Sequence, residues 1–217
     1  MVFVSDQLFR EVDEEVRQDR LQNLWKRYGI YAAIAAVAIV VGTVAFVLWQ
    51  DAQKSARDAD SARFLNAVVQ ESTAADSALL ELRELGNEGT VAYRFLAKLR
   101  EGRLLADQGD RAQALVIFDS ISADSGLGDT YRDLARLLAV ANGLDVLSQN
   151  EVEERIGSLN SPDNPFCVTA REFLALAAMQ VGDNARAEEL LRANLSDASA
   201  PVASRARASE ILTAIGR

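Results

Sequence analysis

The stretch YRFLAKLREGRLLADQGDRAQALVIFDSIS, Tyr93 to Ser122, decides the fold. Its apolar residues recur at helical spacing as far as Gln108, stop at Gly109-Asp110, and resume with Ala112, Leu115, Ile117, Phe118 and Ile121. Glycine ends a helix in the left-handed conformation, and aspartate caps the next by accepting backbone N–H bonds. The same order returns as Phe173 to Val181, Gly182-Asp183, then Ala185 to Leu195. Between them lies a weaker pair: Leu134 to Asn142, a turn at Gly143, and Glu151 to Ser158. Self-similarity on this scale predicts an all-α solenoid of stacked helix pairs.

No stretch alternates as a strand does, and neither Gly nor Pro interrupts Gln50 to Leu85. A long helix is therefore expected there, with Ala52, Ala56, Ala59, Ala62, Leu65 and Val69 on its core face. It is expected to pack on a helix from Ala75 to Leu85 through Leu79, Leu80 and Leu82, which Gly86 and Gly89 then turn. At the other end Val202 to Ile215 is expected to cap the stack, with Arg205, Arg207 and Glu210 facing water.

Gly29 to Trp49 is a run of 21 positions without a charge. At ~1.5 Å rise per residue it matches the ~30 Å hydrocarbon core of a bilayer. Trp25 and Tyr28 stand at its entry and Trp49 at its exit, where amphipathic rings prefer the headgroup region, and Lys26 and Arg27 pin the entry side. A cleaved signal peptide has a shorter apolar core after a short basic start; here a charged segment comes first and no A-x-A site follows. A core helix of a soluble domain would show a polar face, and only Thr43 is polar. Arg10, Arg17, Arg20, Lys26 and Arg27 precede the span; Lys54, Arg57 and Arg63 follow it. The Lys26-Arg27 pair at the membrane favours a cytoplasmic N-terminus and a translocated C-terminal part, in a bacterium the periplasm. Inside the span Ala32/Ala36 and Ala38/Gly42 either permit close helix contact or reflect the general abundance of small residues in such segments.

Residues 50 to 217 carry 18 basic and 26 acidic side chains, a net charge of −8, which argues against a nucleic-acid partner. Cys167 is the only cysteine, so no intrachain disulfide can form. It is either a small apolar residue at a helix start or a thiol for a mixed disulfide. Histidine is absent, which removes the commonest general base and His-based metal sites. There is no CxxC, Gly-rich phosphate loop or HExxH. The carboxylate pairs Glu153/Glu154 and Glu188/Glu189 are adjacent, so on a helix they diverge by about 100° and share no proton. These residues predict no catalytic centre, no cofactor and no metal.

Gly102 with Ala114 and Phe118, and Leu174-Ala175 with Ala187 and Leu191, fit the L-G and A-x₃-F positions of a repeat of about 34 residues. Leu134-Ala135 lies 33 residues after Glu101-Gly102 and 40 before Leu174-Ala175, which implies an insertion around Leu144 to Asn150. The chain thus resembles tetratricopeptide repeats (TPRs), with departures. The repeat's Trp is missing, its Tyr is Leu105 or Ala178, and the terminal Pro is absent from the first unit. In its whole layout, beginning with FREVDEEVRQDRLQNLWKRYGIY (Phe9 to Tyr31), it resembles a bacterial family of single-pass inner-membrane TPR-like proteins related to the ancillary subunit of the SecYEG translocon. That resemblance implies a cytoplasmic head over 1–28, a transmembrane helix over 29–49 and a periplasmic TPR-like domain over 50–217. It also implies protein partners, namely Sec translocon subunits and periplasmic chaperones.

In such a solenoid the first helix of each pair lines the concave side, which makes Tyr93, Arg94, Lys98, Arg132, Arg136 and Arg171 candidate partner contacts. A solvated face accounts for the same residues. In the head, Leu8, Val12 and Val16, with Phe9, Leu21, Leu24 and Tyr28, fall at helical spacing, as an amphipathic docking helix or a solubilising leader. Three functions compete: a tethered scaffold at the secretion machinery, an assembly factor for another envelope process such as cytochrome maturation or outer-membrane assembly, and a membrane-bound enzyme. The missing chemistry disfavours the last.

Overall fold

The computed structural model describes the backbone of residues 3–216 and the side chains of residues 26–31 and 33–216. Its elements are helical throughout: α1 (Phe3–Gln70), α2 (Ala75–Glu88), α3 (Val91–Asp107), α4 (Arg111–Ser122), α5 (Asp129–Gly143), α6 (Gln149–Ile156) with a 3₁₀ turn at Gly157–Leu159, α7 (Cys167–Gln180), α8 (Asn184–Ser196) and α9 (Val202–Ile215). Among the described residues there is no strand. Contacts divide the chain into two units between Ala56 and Arg57, within α1.

In the first unit, α1 contains a segment long and apolar enough to cross a membrane, with a mean hydropathy of 2.5 over its most apolar window, none of it buried. Apolar side chains point outward all round, from Ile30 and Tyr31 to Leu48 and Trp49. Thr43, the one polar side chain in the run, donates its hydroxyl to the Ile39 carbonyl at 2.7 Å and so exposes no unsatisfied donor. The side chains of Trp25, Ala32 and the head residues lie outside the described residues, so the docking reading of the head lies outside them too.

In the second unit each helix packs on its chain neighbour: α2 on α3, α3 on α4, α4 on α5, α7 on α8 and α8 on α9. First helices also touch the next first helix, α3 to α5, α5 to α7 and α7 to α9, which is the stacking of helix pairs. Three apolar clusters result. The largest gathers Leu137, Val152, Ile156, Leu174, Leu190 and Leu191 toward the C-terminus. A middle one surrounds Phe118 and Ile121. The smallest, Ala67, Leu82, Leu85 and Ala97, joins α1 to α2 and α3.

Two joints explain why the pairs are tight. Gly109 has φ +87° and Gly182 φ +80°, backbone that favours glycine. At the first joint Asp110 N–H donates to the Leu105 carbonyl (2.9 Å) and Gly109 N–H to Ala106 (3.0 Å); at the second Asp183 donates to Ala178 (2.9 Å) and Gly182 to Met179 (3.0 Å). Both are Schellman closures. The same aspartates then cap the next helices, Asp110 accepting from Gln113 N–H and Asp183 from Arg186 N–H, each at 3.1 Å. One residue thus ends one helix and starts another.

The small-against-large positions also meet as the repeat pattern requires. A Cβ on Gly102 would lie 2.8 Å from Cζ of Phe118. Ala175 and Leu191, 73 residues further on, are both fully buried in one cluster. The middle pair differs from expectation. Gly143 ends α5 without a left-handed turn, and a Cβ there would meet Leu115 Cδ2 at 2.7 Å, so it is a close-approach glycine. The Leu144–Ser148 loop turns the chain, buries Leu147, and starts α6 with a capping box between Ser148 and Glu151.

Two other expectations are corrected. On α1 the residues Ala52, Ala56, Ala59, Ala62, Leu65 and Val69 are exposed; the buried side is Asp60, Phe64 and Ala67. A carboxylate holds that inner face because Asp60 accepts the Thr90 N–H at the start of α3, at 2.7 Å. Gly86 does not turn the chain either. It sits inside α2, where a Cβ would lie 3.1 Å from Lys98 Cγ, and the helix runs on to Glu88.

If the Gly102–Phe118 contact sets the crossing, Gly102→Ala overpacks it and costs about 1–3 kcal/mol. Adding Phe118→Leu, which reproduces the Ala175/Leu191 pair, is expected to lose less than the sum of the two single changes. Chemical denaturation of the four members of this double-mutant cycle checks it; strict additivity refutes it.

Candidate interaction surface

The layer of first helices carries the candidate contacts, and the structure places each differently. Tyr93 is half-buried, its ring 6.2 Å from that of Phe64 on α1. Arg132 pairs with Asp129 on its own helix, while its buried Nε has no hydrogen-bond acceptor. Arg136 donates to Asp133 at 3.0 Å, and the other Asp133 oxygen accepts from Asn164 at 2.9 Å, tying α5 to the loop before α7.

Arg171 is the most enclosed of the six. Its Nε donates to Asn160 Oδ1 at 2.8 Å and its Nη1 to Asp197 Oδ2 at 3.0 Å. Asn194, itself buried, donates to the Val168 carbonyl at 2.8 Å beside it. This guanidinium joins α7 to the loop before it and to the loop between α8 and α9. Lys98 stands at the equivalent repeat position, 73 residues earlier, with its stem against Gly86 of α2. Arg94 and Lys98 are the two candidates with no ion-pair partner among the described residues. Of the anchor flanks, Lys26, Arg27, Tyr28 and Trp49 are described and exposed; Arg27 lies 5.8 Å over the Tyr28 ring, and Trp49 lies 6.1 Å from Phe46.

An aromatic feature escaped the sequence reading. Phe95 at the start of α3 meets Tyr131 at the start of α5 edge-on, centroids 5.0 Å apart. Tyr131 remains 52% exposed, and Val91 and Leu96 are exposed nearby in sequence. The signal was an aromatic near the beginning of two successive first helices, which cation-centred scanning passes over. Contact chemistry on this layer therefore includes aromatic edges, exposed aliphatic residues and the Arg94 and Lys98 cations.

Two shallow depressions follow the loop edges. One, of about 400 Å³, is lined by Asp107, Arg111, Asn142, Leu144, Asp145 and Gln180, with Gln180 Nε2 donating to the Leu144 carbonyl at 3.0 Å. The other, of about 390 Å³, lies between the loops before α7 and α9 and includes Cys167, Asp197 and Ser199. Cys167 is only 4% exposed, and burial pushes its thiol pKa up. Asp197 is held below the usual carboxylate range by hydrogen bonds from Ser199, then by Arg171.

Cys167 is expected to resist alkylation by iodoacetamide at neutral pH in the folded chain and to react fully in denaturant; fast labelling of the native protein refutes this. Asp197 titrates lower in the folded state than the ~3.9 of a free aspartate, so its contribution is present above that value and fades as pH falls through the folded pKa. Ser199→Ala is expected to weaken that acid dependence, read as a shallower stability slope below about pH 4.

A family model described as a tetratricopeptide repeat-like domain matches residues 22–142, more than half of the chain. The match opens ahead of the apolar run and closes at the end of α5. No curated protein and no solved structure matches. Domains of this kind are interaction scaffolds and typically non-catalytic. With its helix pairs, its small-against-large crossings and this match, the chain belongs to the tetratricopeptide repeat-like family.

Proposed function

We propose that this chain is a single-pass bacterial inner-membrane scaffold that acts through protein–protein contacts at the Sec translocon and links translocation to periplasmic chaperones. Residues 1–28 are the cytoplasmic head, 29–49 the membrane span and 50–217 the periplasmic TPR-like domain. The observation that carries the reading is the extent of the family match, which runs from residue 22 through the apolar segment into the helix pairs. The apolar run and the first helix pairs thus fall within one family match. The uncovered apolar girth of the span supports membrane insertion, since in water it exposes a large hydrophobic surface.

Tethering supplies the mechanism. A repeat surface confined to the membrane meets emerging chains and membrane partners at high effective concentration, so weak contacts suffice. Arg94 and Lys98 provide charge to those contacts, with Tyr93 beside them in sequence and Arg132 on the next first helix; Arg136 and Arg171 hold the layer in shape from within. The specific assignment to the translocon rests on the resemblance of Phe9 to Tyr31 and of the whole layout.

Photo-crosslinking from position 94 or 98 in native membranes, followed by partner identification, tests the proposal. Translocon subunits and periplasmic chaperones are expected. Recovery of cytochrome-maturation or outer-membrane assembly proteins without them assigns the scaffold to that other process. A reporter fused after Arg217 is expected to behave as translocated, and cytoplasmic activity reverses the topology.

A further inference from the structure

We propose that α2 is an ionically latched strap, which opens as a unit and bares an apolar strip between α1 and α3 while α4 to α9 stay folded. The inference is independent of the partner assignment above. It begins with the frame on which α2 lies. Glu71, just before α2, takes a bidentate pair from Arg100 of α3. Thr90, just after it, donates its N–H to Asp60 of α1. Phe64 and Tyr93 add a ring contact between the same two helices. The α1–α3 frame therefore holds at both ends of the segment without using α2 itself.

As a helix, α2 is poorly secured. Its N-cap, Ala74, has no side chain to cap with, whereas α4, α6 and α8, the other second helices, are capped by Asp110, Ser148 and Asp183. Glu84 and Glu88 sit at its C-terminal end, where the helix dipole disfavours negative charge, and no basic residue lies in its last turn. Gly86 interrupts its interior. It buries only Ala78, Leu82 and Leu85 besides that glycine; the two leucines belong to the smallest of the three cores, and half-buried Leu79 is its one apolar contact with the middle core.

Beside that apolar contact, ion pairs latch it to both neighbours. Arg63 of α1 reaches Glu81 at 2.7 Å and Glu84 at 3.4 Å, and Arg83 reaches Glu101 of α3 at 3.0 Å. The Glu101 carboxylate is buried, but both arginines are partly exposed, so salt and competing anions reach the latch. Release leaves Phe64, Ala67, Tyr93, Ala97 and Leu104 uncovered on the frame.

Hydrogen exchange read by mass spectrometry on the full-length chain in detergent micelles tests this. Amides of 75–88 are expected to exchange about tenfold faster than those of 111–122 and 184–196, and to accelerate selectively between about 0.05 and 0.5 M NaCl. Arg63→Gln is expected to speed α2 by about a further tenfold and leave α8 unchanged. Ala74→Asp, which supplies the missing cap at a position whose ψ of 63° matches the 67° and 69° of Asp110 and Asp183 although its φ is more extended, is expected to slow α2 alone by several-fold. Exchange of α2 in step with α4 and α8 under all these conditions overturns the proposal. Should Arg63→Gln fail to fold, Ala74→Asp decides: slowing confined to α2 upholds the strap, and uniform slowing, or none, rejects it.

Discussion

Everything in the repeat region depends on how closely two helices can cross. At Gly102 the backbone of α3 comes so near Phe118 of α4 that no Cβ fits without movement. At Gly143 the backbone of α5 comes equally near Leu115. Such contacts are the packing of a large plug into a small seat, and interiors packed to crystal density leave little slack in them. Once α3 and α4 are set at this distance, the next first helix must lie beside α3, and the order of layers follows. The same logic explains why the later pair tolerates Ala175: its plug is Leu191, smaller than a phenyl ring.

The joints between helices distribute stability unevenly. Asp110 and Asp183 each close one helix and cap another, so two otherwise orphaned sets of backbone groups are satisfied by a two-residue turn. Where such a joint is missing, other forces substitute. Around α2 they are ion pairs with partly exposed arginines, whose net worth is small compared with apolar burial. Nearest-neighbour coupling in repeat arrays makes end units the first to open. Here the N-terminal end has the thinnest core, while the C-terminal end buries far more, and α9 closes it.

Helix pairs, the Gly-Asp joints and the small-against-large positions were legible because each rests on a local rule with a fixed spacing. The inward face of α1 was not. Its apolar periodicity past Trp49 pointed to Leu65 and Val69, yet the buried side includes Asp60, because a backbone N–H thirty residues away needed an acceptor. Long-range satisfaction of polar groups leaves no periodic trace. Gly86 misled for a related reason: a glycine that admits a neighbouring side chain reads like one that turns the chain. Among the candidate contacts, charge and helix position were readable, but partners were not. Arg171 is spent on Asn160 and Asp197, and Arg136 on Asp133, by geometry that only the fold supplies.

The apolar segment obeys a different constraint. A helix apolar on every side cannot be stabilised by one packed face, and its Thr43 hydroxyl already bonds to its own backbone. Such a surface has two stable environments, a protein interior or lipid, and none of it is buried among the described residues. In lipid the helix confines its repeats to a thin shell at the membrane. An effective concentration on the order of millimolar then makes contacts productive that would be negligible in solution. This suits a surface on which Arg94 and Lys98 stand outside any ion pair among the described residues, beside the Phe95–Tyr131 aromatic edge. Under the proposed function, affinity resides in the tether, and selectivity in the side chains that packing leaves uncommitted.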